Sequence, residues 1–205
     1  MKIERRTYAL DNFKVERRAE GDDPPKIIGH AALFNSLSEE IYGFREQIAP
    51  GAFKNAVKED DVRALFNHDP NIVLGRTGPG TLRLSEDSKG LAIEIDPPDT
   101  QQARDLMVSI ERGDVSQMSF GFRVTSEEWE FKDGKEPDIR TLTEVQLFDV
   151  SPVTFPAYTD TDVSLRAMRD LHSEARKRYQ KEQEEAVPPV PLERMKRQQA
   201  LAECE

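Results

Sequence analysis

Residues 118–125 read MSFGFRVT, and their alternation decides the architecture. Met118, Phe120, Phe122 and Val124 fall on one side of an extended chain, and Ser119, Gly121, Arg123 and Thr125 on the other, because successive side chains of a strand point to opposite faces. A strand with one wholly apolar face belongs to a sheet packed on a core. The same period recurs nearby: Leu82 and Leu84, then Leu91, Ile93 and Ile95, flank SEDSKG at 85–90 and read as a hairpin. Further strand candidates are Lys26–Phe34, Val62–Phe66, Trp129–Phe131 and Ile139–Val153, the last two joined by the turn-forming KDGKEP at 132–137. Helices are few. Asp99 or Thr100 can cap a segment in which Ala103, Leu106, Met107 and Ile110 recur at helical spacing and which Gly113 ends, and a shorter helix is expected from Gly51 to Lys58. The expected fold class is mainly β with flanking helices (α+β), a barrel or a sandwich.

Outside these elements the chain changes character. Of 29 basic and 39 acidic residues, the segment 166–205 holds nine and eight, so it is nearly neutral while the first 165 residues carry the net negative charge. The expected division is a domain at 1–165 and a charged C-terminal tail at 166–205, helical or disordered. Leu165, Met168, Leu171, Ala175 and Tyr179 give the tail one helical stripe, broken by VPPVP at 187–191 and followed by a short helical run from Leu192. A net charge of −10 disfavours binding to a phosphate backbone. Cys204 stands alone, so no internal disulfide or cysteine-rich metal site is expected, and a reducing cytoplasm suits the chain. No apolar run has the length of a membrane span or a signal-peptide core. No nucleotide-binding loop, zinc-protease motif or nucleophile elbow is present, and no cofactor or metal is called for.

Three histidines make the search for a general base short. His172 lies in the charged tail, where local sequence does not pre-organise it. His30 shares a strand face with Ile28, Ala32 and Phe34 and reads as a core or barrel-lining residue. His68 follows a strand and precedes the turn signal Asp69-Pro70, with Asn67 and Asp69 as neighbours able to fix its tautomer. For a nucleophile, Ser119 stands beside Gly121 on the open face of its strand, with Ser116 as competitor. A serine hydroxyl attacks only when a base within hydrogen-bond reach removes its proton and a third group orients that base. Asp149, wedged between Phe148 and Val150, is a carboxylate that only a partner would justify; Glu144 is the other choice.

These blocks, taken in order, resemble a known family. IIGHAALFNSL (27–37), IAPGAF (48–53), VRALFNHDP (62–70), LGRTGPGTLRLSED (74–87), GLAIEID (90–96), ERGDVSQMSFGFR (111–123) and LFDVSPVTFPAY (147–158) are similar to the prohead maturation serine proteases of tailed phages that process HK97-like capsids. The resemblance covers roughly residues 26–163 and implies an endopeptidase with a β-barrel like that of herpesvirus assembly proteases. It puts the family's histidine at His68, its serine at Ser119 and an acidic residue, often Glu, at Asp149; the herpesvirus relatives place a second histidine there, for which His30 or His172 would stand. No motif identifies the oxyanion donor, for which a backbone N–H near Gly121 or Gly75-Arg76 is the expectation. The resemblance further implies the major capsid protein and other copies of itself as partners, self-cleavage, a homo-oligomeric state, and work inside the prohead in the host cytoplasm. The rival expectation is a non-catalytic assembly or scaffold protein of the same fold.

Overall fold

The computed structural model describes residues 3–9, 13–17, 24–155 and 162–186. VPPVP, the run from Leu192 and Cys204 lie outside them. In chain order the elements are β1 (Glu4–Ala9), β2 (Lys14–Glu16), β3 (Lys26–Leu33), β4 (Phe44–Ile48), α1 (Ala56–Glu59), β5 (Arg63–Phe66), β6 (Asp69–Arg76), β7 (Leu82–Glu86), β8 (Gly90–Ile95), α2 (Gln101–Glu111), β9 (Gln117–Glu130), β10 (Asp138–Val153) and α3 (Asp162–Ala186). One sheet runs β1-β9-β10-β5-β6, with β4 also paired to β10; the other runs β2-β3-β8-β7. The fold is mainly β with a few helices. Among the described residues the ladders do not close into a barrel: β1 and β6 end one sheet, β2 and β7 the other.

The MSFGFRVT alternation places Met118, Phe120 and Phe122 in the core with no exposure. There they meet Phe53, Ile27 and the buried face of α2, namely Ala103, Leu106, Met107 and Ile110. Thr100 caps α2 through Ala103 N–H at 3.3 Å, and Gly113 follows with a φ of +82°, a left-handed conformation that glycine adopts without steric cost. Trp129–Phe131 is not a separate strand: β9 is continuous from Gln117 to Glu130. Its charged end persists because Glu127 accepts Arg140 Nη2 at 2.5 Å.

Strand β1 was not readable as a strand, since Glu4, Arg5 and Arg6 look solvent-bound. Yet Arg6 grips Glu46 with two bonds, at 2.6 and 2.9 Å, and Arg140, 1% exposed, bonds the same Glu46 at 2.7 Å. Burial alone would raise the Glu46 carboxyl, but the Arg6 and Arg140 cations outweigh it and hold its pKa below the ordinary value. Glu46 thus has two cationic partners, and the loss of either one leaves it paired with the other.

Helix α3 crosses position 165 and rests its central part on the body. The fully buried carboxylate of Asp138 accepts Lys132 N–H at 2.8 Å, His172 Nε2 at 2.6 Å and Arg176 Nε and Nη2 at 2.6 and 2.8 Å. Trp129 stacks on His172 and Phe131 on Tyr179, at 5.6 and 4.6 Å between ring centroids. So His172, unremarkable in sequence, is held at both ring nitrogens. Burial pushes the Asp138 carboxyl up, but Arg176, His172 and the Lys132 N–H outweigh it and hold its pKa at about 2 against 3.8. A proton therefore binds more weakly in the folded state, and about 2 kcal/mol of stabilisation is full above roughly pH 4 and lost as pH falls through 2. The single Trp129 reports the dock. Its emission is expected to shift between about pH 4 and 2, and Asp138→Asn is expected to shift it already at neutral pH; emission identical to wild type would show that the carboxylate does not hold the helix.

Candidate active site

The site is assembled on adjacent strands of the larger sheet. Ser119 on β9 lies opposite Ser151 on β10, and Gly121 lies opposite Asp149, so these four residues share the face turned away from Phe120 and Phe122. Asp149 reaches that face through a bulge. Leu147 pairs with Phe122 and Asp149 with Gly121, leaving Phe148 as the extra residue. That extra residue reverses the alternation, so Leu147 enters the core while Asp149, two positions on, points to the other side. Bulges commonly re-aim a side chain in this way.

His68 comes from the turn between β5 and β6. Asn67 and His68 have φ of +53° and +57°, and Phe66 pairs with Asp69 across them. Two positive φ angles in a two-residue hairpin loop are the mark of a type I′ turn, which favours Asn first and Gly second. His68 thus occupies a glycine position, at roughly 1–2 kcal/mol for a residue bearing a Cβ. The turn is fastened elsewhere: Asn67 N–H donates to Pro152 O at 3.0 Å, Asn67 Oδ1 accepts Thr154 N–H at 2.9 Å, and Asn67 Nδ2 donates to Thr154 Oγ1 at 3.2 Å. Asn67 therefore sets the height of the turn along β10 rather than the tautomer of the imidazole. Asp69 is likewise engaged, with Asn71.

The imidazole bridges the other two groups. His68 Nδ1 is hydrogen-bonded to Asp149 Oδ1, and His68 Nε2 lies 2.7 Å from Ser119 Oγ. A carboxylate only accepts, so Nδ1 carries the hydrogen, and in the neutral ring Nε2 then presents its lone pair to the serine hydroxyl. Asp149 Oδ1 also accepts Ser151 Oγ at 2.8 Å, and Oδ2 lies over Gly121, where any Cβ would collide with it. Ser119 and Ser151 are fully buried, and Asp149 is 8% exposed.

Gly121 therefore makes room for the carboxylate. Gly121→Ala is expected to swing Asp149 off His68 and lower the rate of any reaction run through this chain by at least about 10²-fold, the scale of a 1 Å misplacement, while circular dichroism stays native. Undiminished activity would show that Asp149 need not sit there.

The structure thus brings His68, Ser119 and Asp149 together. Ser116 is not in this chain of bonds. Glu144 accepts Asn55 Nδ2 at 2.5 Å instead, His30 faces Asp87 at 2.9 Å and His172 faces Asp138, so none of the three takes the place of Asp149 on His68. Gly75 and Arg76 lie three strands across from Gly121 by register, roughly 14 Å at ~4.8 Å per strand, so they cannot serve Ser119. Ser151 was missed, although its position two residues after Asp149 already puts it on the same face.

A hydroxyl, an imidazole and a carboxylate hydrogen-bonded in series form the constellation of serine peptidases on many unrelated folds. The chain belongs to the family of caudovirus prohead serine proteases, whose sequence profile matches residues 12–175, and so to the serine peptidases of phage capsid maturation. It is 29% identical over 172 residues to the prohead protease of Enterobacteria phage HK97, covering 81% of this chain and 69% of that one. Among solved structures it is similar to the bacteriophage T4 capsid assembly protease, at 11% identity and a TM-score of 0.49, over 74% of this chain and 97% of that one.

Proposed function

We propose that Ser119 is the nucleophile, His68 the general base and acid, and Asp149 the group that orients His68, in an endopeptidase that trims the major capsid protein and itself inside the prohead, within the host cell. The observation that carries this reading is the continuous run of hydrogen bonds from Asp149 through His68 to Ser119 in a member of a prohead serine protease family. Ser119 Oγ attacks the scissile carbonyl carbon as His68 Nε2 takes its proton. The tetrahedral adduct collapses, the C–N bond breaks, and Nε2 returns the proton to the leaving amine. A water then attacks the acyl-serine with the same proton relay and releases the new carboxyl terminus. Proton transfer by a positioned imidazole contributes roughly 10²–10⁴-fold.

The substrate and compartment are supported by family membership and by the related protein of phage HK97. The test is to co-express the full chain with the major capsid protein of its own phage and weigh the capsid subunit by intact mass spectrometry. A subunit shortened from one end is expected. Assembled particles made of full-length subunits would overturn the reading in favour of a non-catalytic assembly protein.

A further inference from the structure

Ser119 is aligned for attack but has no exposed surface. His68 and Asp149 reach it from the side of β10 and β5, so the open approach to its oxygen is from the other side of β9. That side is taken by β1. The pairing is antiparallel, with Thr7 directly opposite Ser119, Arg5 opposite Gly121 and Ala9 opposite Gln117. Arg6 and Tyr8 turn inward, Arg6 over the Phe122 ring at 5.4 Å and Tyr8 against Phe120 at 6.3 Å, so Thr7 shares the face of Ser119. Directly opposed residues of such a pair lie about 4.5–5.5 Å apart between Cα atoms.

An extended peptide recognised through its backbone binds by adding a strand to a sheet edge, and β1 is a strand so added. Two further observations agree. Gln117, on the face of Ser119 and two residues before it, has a buried Oε1 with no hydrogen-bond partner among the described residues, an acceptor left over beside the nucleophile. The Arg6 tie is also built to open. When Arg6 leaves, Glu46 keeps Arg140 at 2.7 Å and Arg140 keeps Glu127, so no buried charge is stranded.

Resting on the assignment of Ser119 as nucleophile, we infer that β1 occupies the groove of the substrate: an extended peptide binds antiparallel to β9 in its place, with Thr7 marking the residue beside the scissile bond, and β1 must leave before cleavage. The full chain keeps itself shut until that exchange.

The test uses the full-length chain with C204S, A9C and Q117C, in which a disulfide locks β1 to β9. The readout is the rate at which a fluorophosphonate modifies Ser119, followed by intact mass. Oxidised protein is expected to react at least tenfold more slowly than the same protein after reduction, and Arg6→Ala, without the cysteine pair, at least tenfold faster than wild type. Equal rates with and without the lock, or in Arg6→Ala and wild type, would overturn the occupancy of the groove while leaving the nucleophile in place. Absence of modification in every form, reduced and Arg6→Ala included, would overturn the nucleophile assignment and this proposal with it.

Discussion

Ser119→Ala is expected to abolish processing of the capsid subunit, with a fall in turnover on the order of 10⁶-fold, the scale seen when the hydroxyl of such a constellation is removed. The substitution deletes one oxygen from a fully buried position whose neighbours on its own strand, Met118 and Phe120, are core residues, so the strand and its pairing with Ser151 persist. The lost contact is the 2.7 Å bond to His68, worth about 1 kcal/mol to stability, far too little to unfold the chain. Chemistry and stability therefore separate cleanly. His68→Ala is expected to cost about as much as Ser119→Ala, and the double variant no more than either, because base and nucleophile act as one unit and their losses do not add. Rates would be measured as single turnovers on a peptide spanning the cut site found by mass spectrometry. Independent, multiplying losses would mean that the two residues do not share a proton.

What could be read from sequence followed from how local each cause was. The MSFGFRVT alternation and the helical spacing of α2 are set by neighbours, and both elements form as read. Asp149 was visible as a carboxylate among apolar residues that needed a partner. Its partner is 81 positions away and was reached through the family resemblance rather than through spacing. The bulge at Phe148 was invisible, because in the sequence Leu147 and Asp149 have the same parity and only the register against β9 separates them. Strand β1 was hidden for a different reason. Its charges look solvated until Glu46 and Arg140 arrive from 40 and 134 residues further along the chain to bury Arg6 in an ionic cluster. The same long-range pairing hid the role of His172, whose carboxylate partner Asp138 opens β10. The barrel implied by the resemblance is not shown closed among the described residues, and alternation could not have decided it, because it reports one buried face per strand and says nothing of whether the edges meet.

Asp149→Asn is expected to lower turnover on the order of 10⁴-fold or somewhat less, with KM unchanged, since Asp149 touches His68 and not the substrate. Two effects combine. The carboxylate that accepts Nδ1–H is replaced by an amide whose NH₂ can face Nδ1, and that orientation places the imidazole hydrogen on Nε2, where it can no longer take the proton of Ser119. The local contacts limit how far this goes. Ser151 Oγ donates to Oδ1 at 2.8 Å, so the amide oxygen is favoured at that position, and the NH₂ would then lie over Gly121. In that orientation the tautomer survives and only the negative charge that stabilises the imidazolium is lost. Removing Ser151 as well frees the amide to turn, so Asp149→Asn combined with Ser151→Ala is expected to be slower than Asp149→Asn alone, while Ser151→Ala alone stays within about tenfold of wild type, as fits a single hydrogen bond. The order of rates distinguishes an orienting carboxylate from a bystander. An Asp149→Asn enzyme within tenfold of wild type would leave His68 without its third group and send the search back to residues outside this chain of bonds.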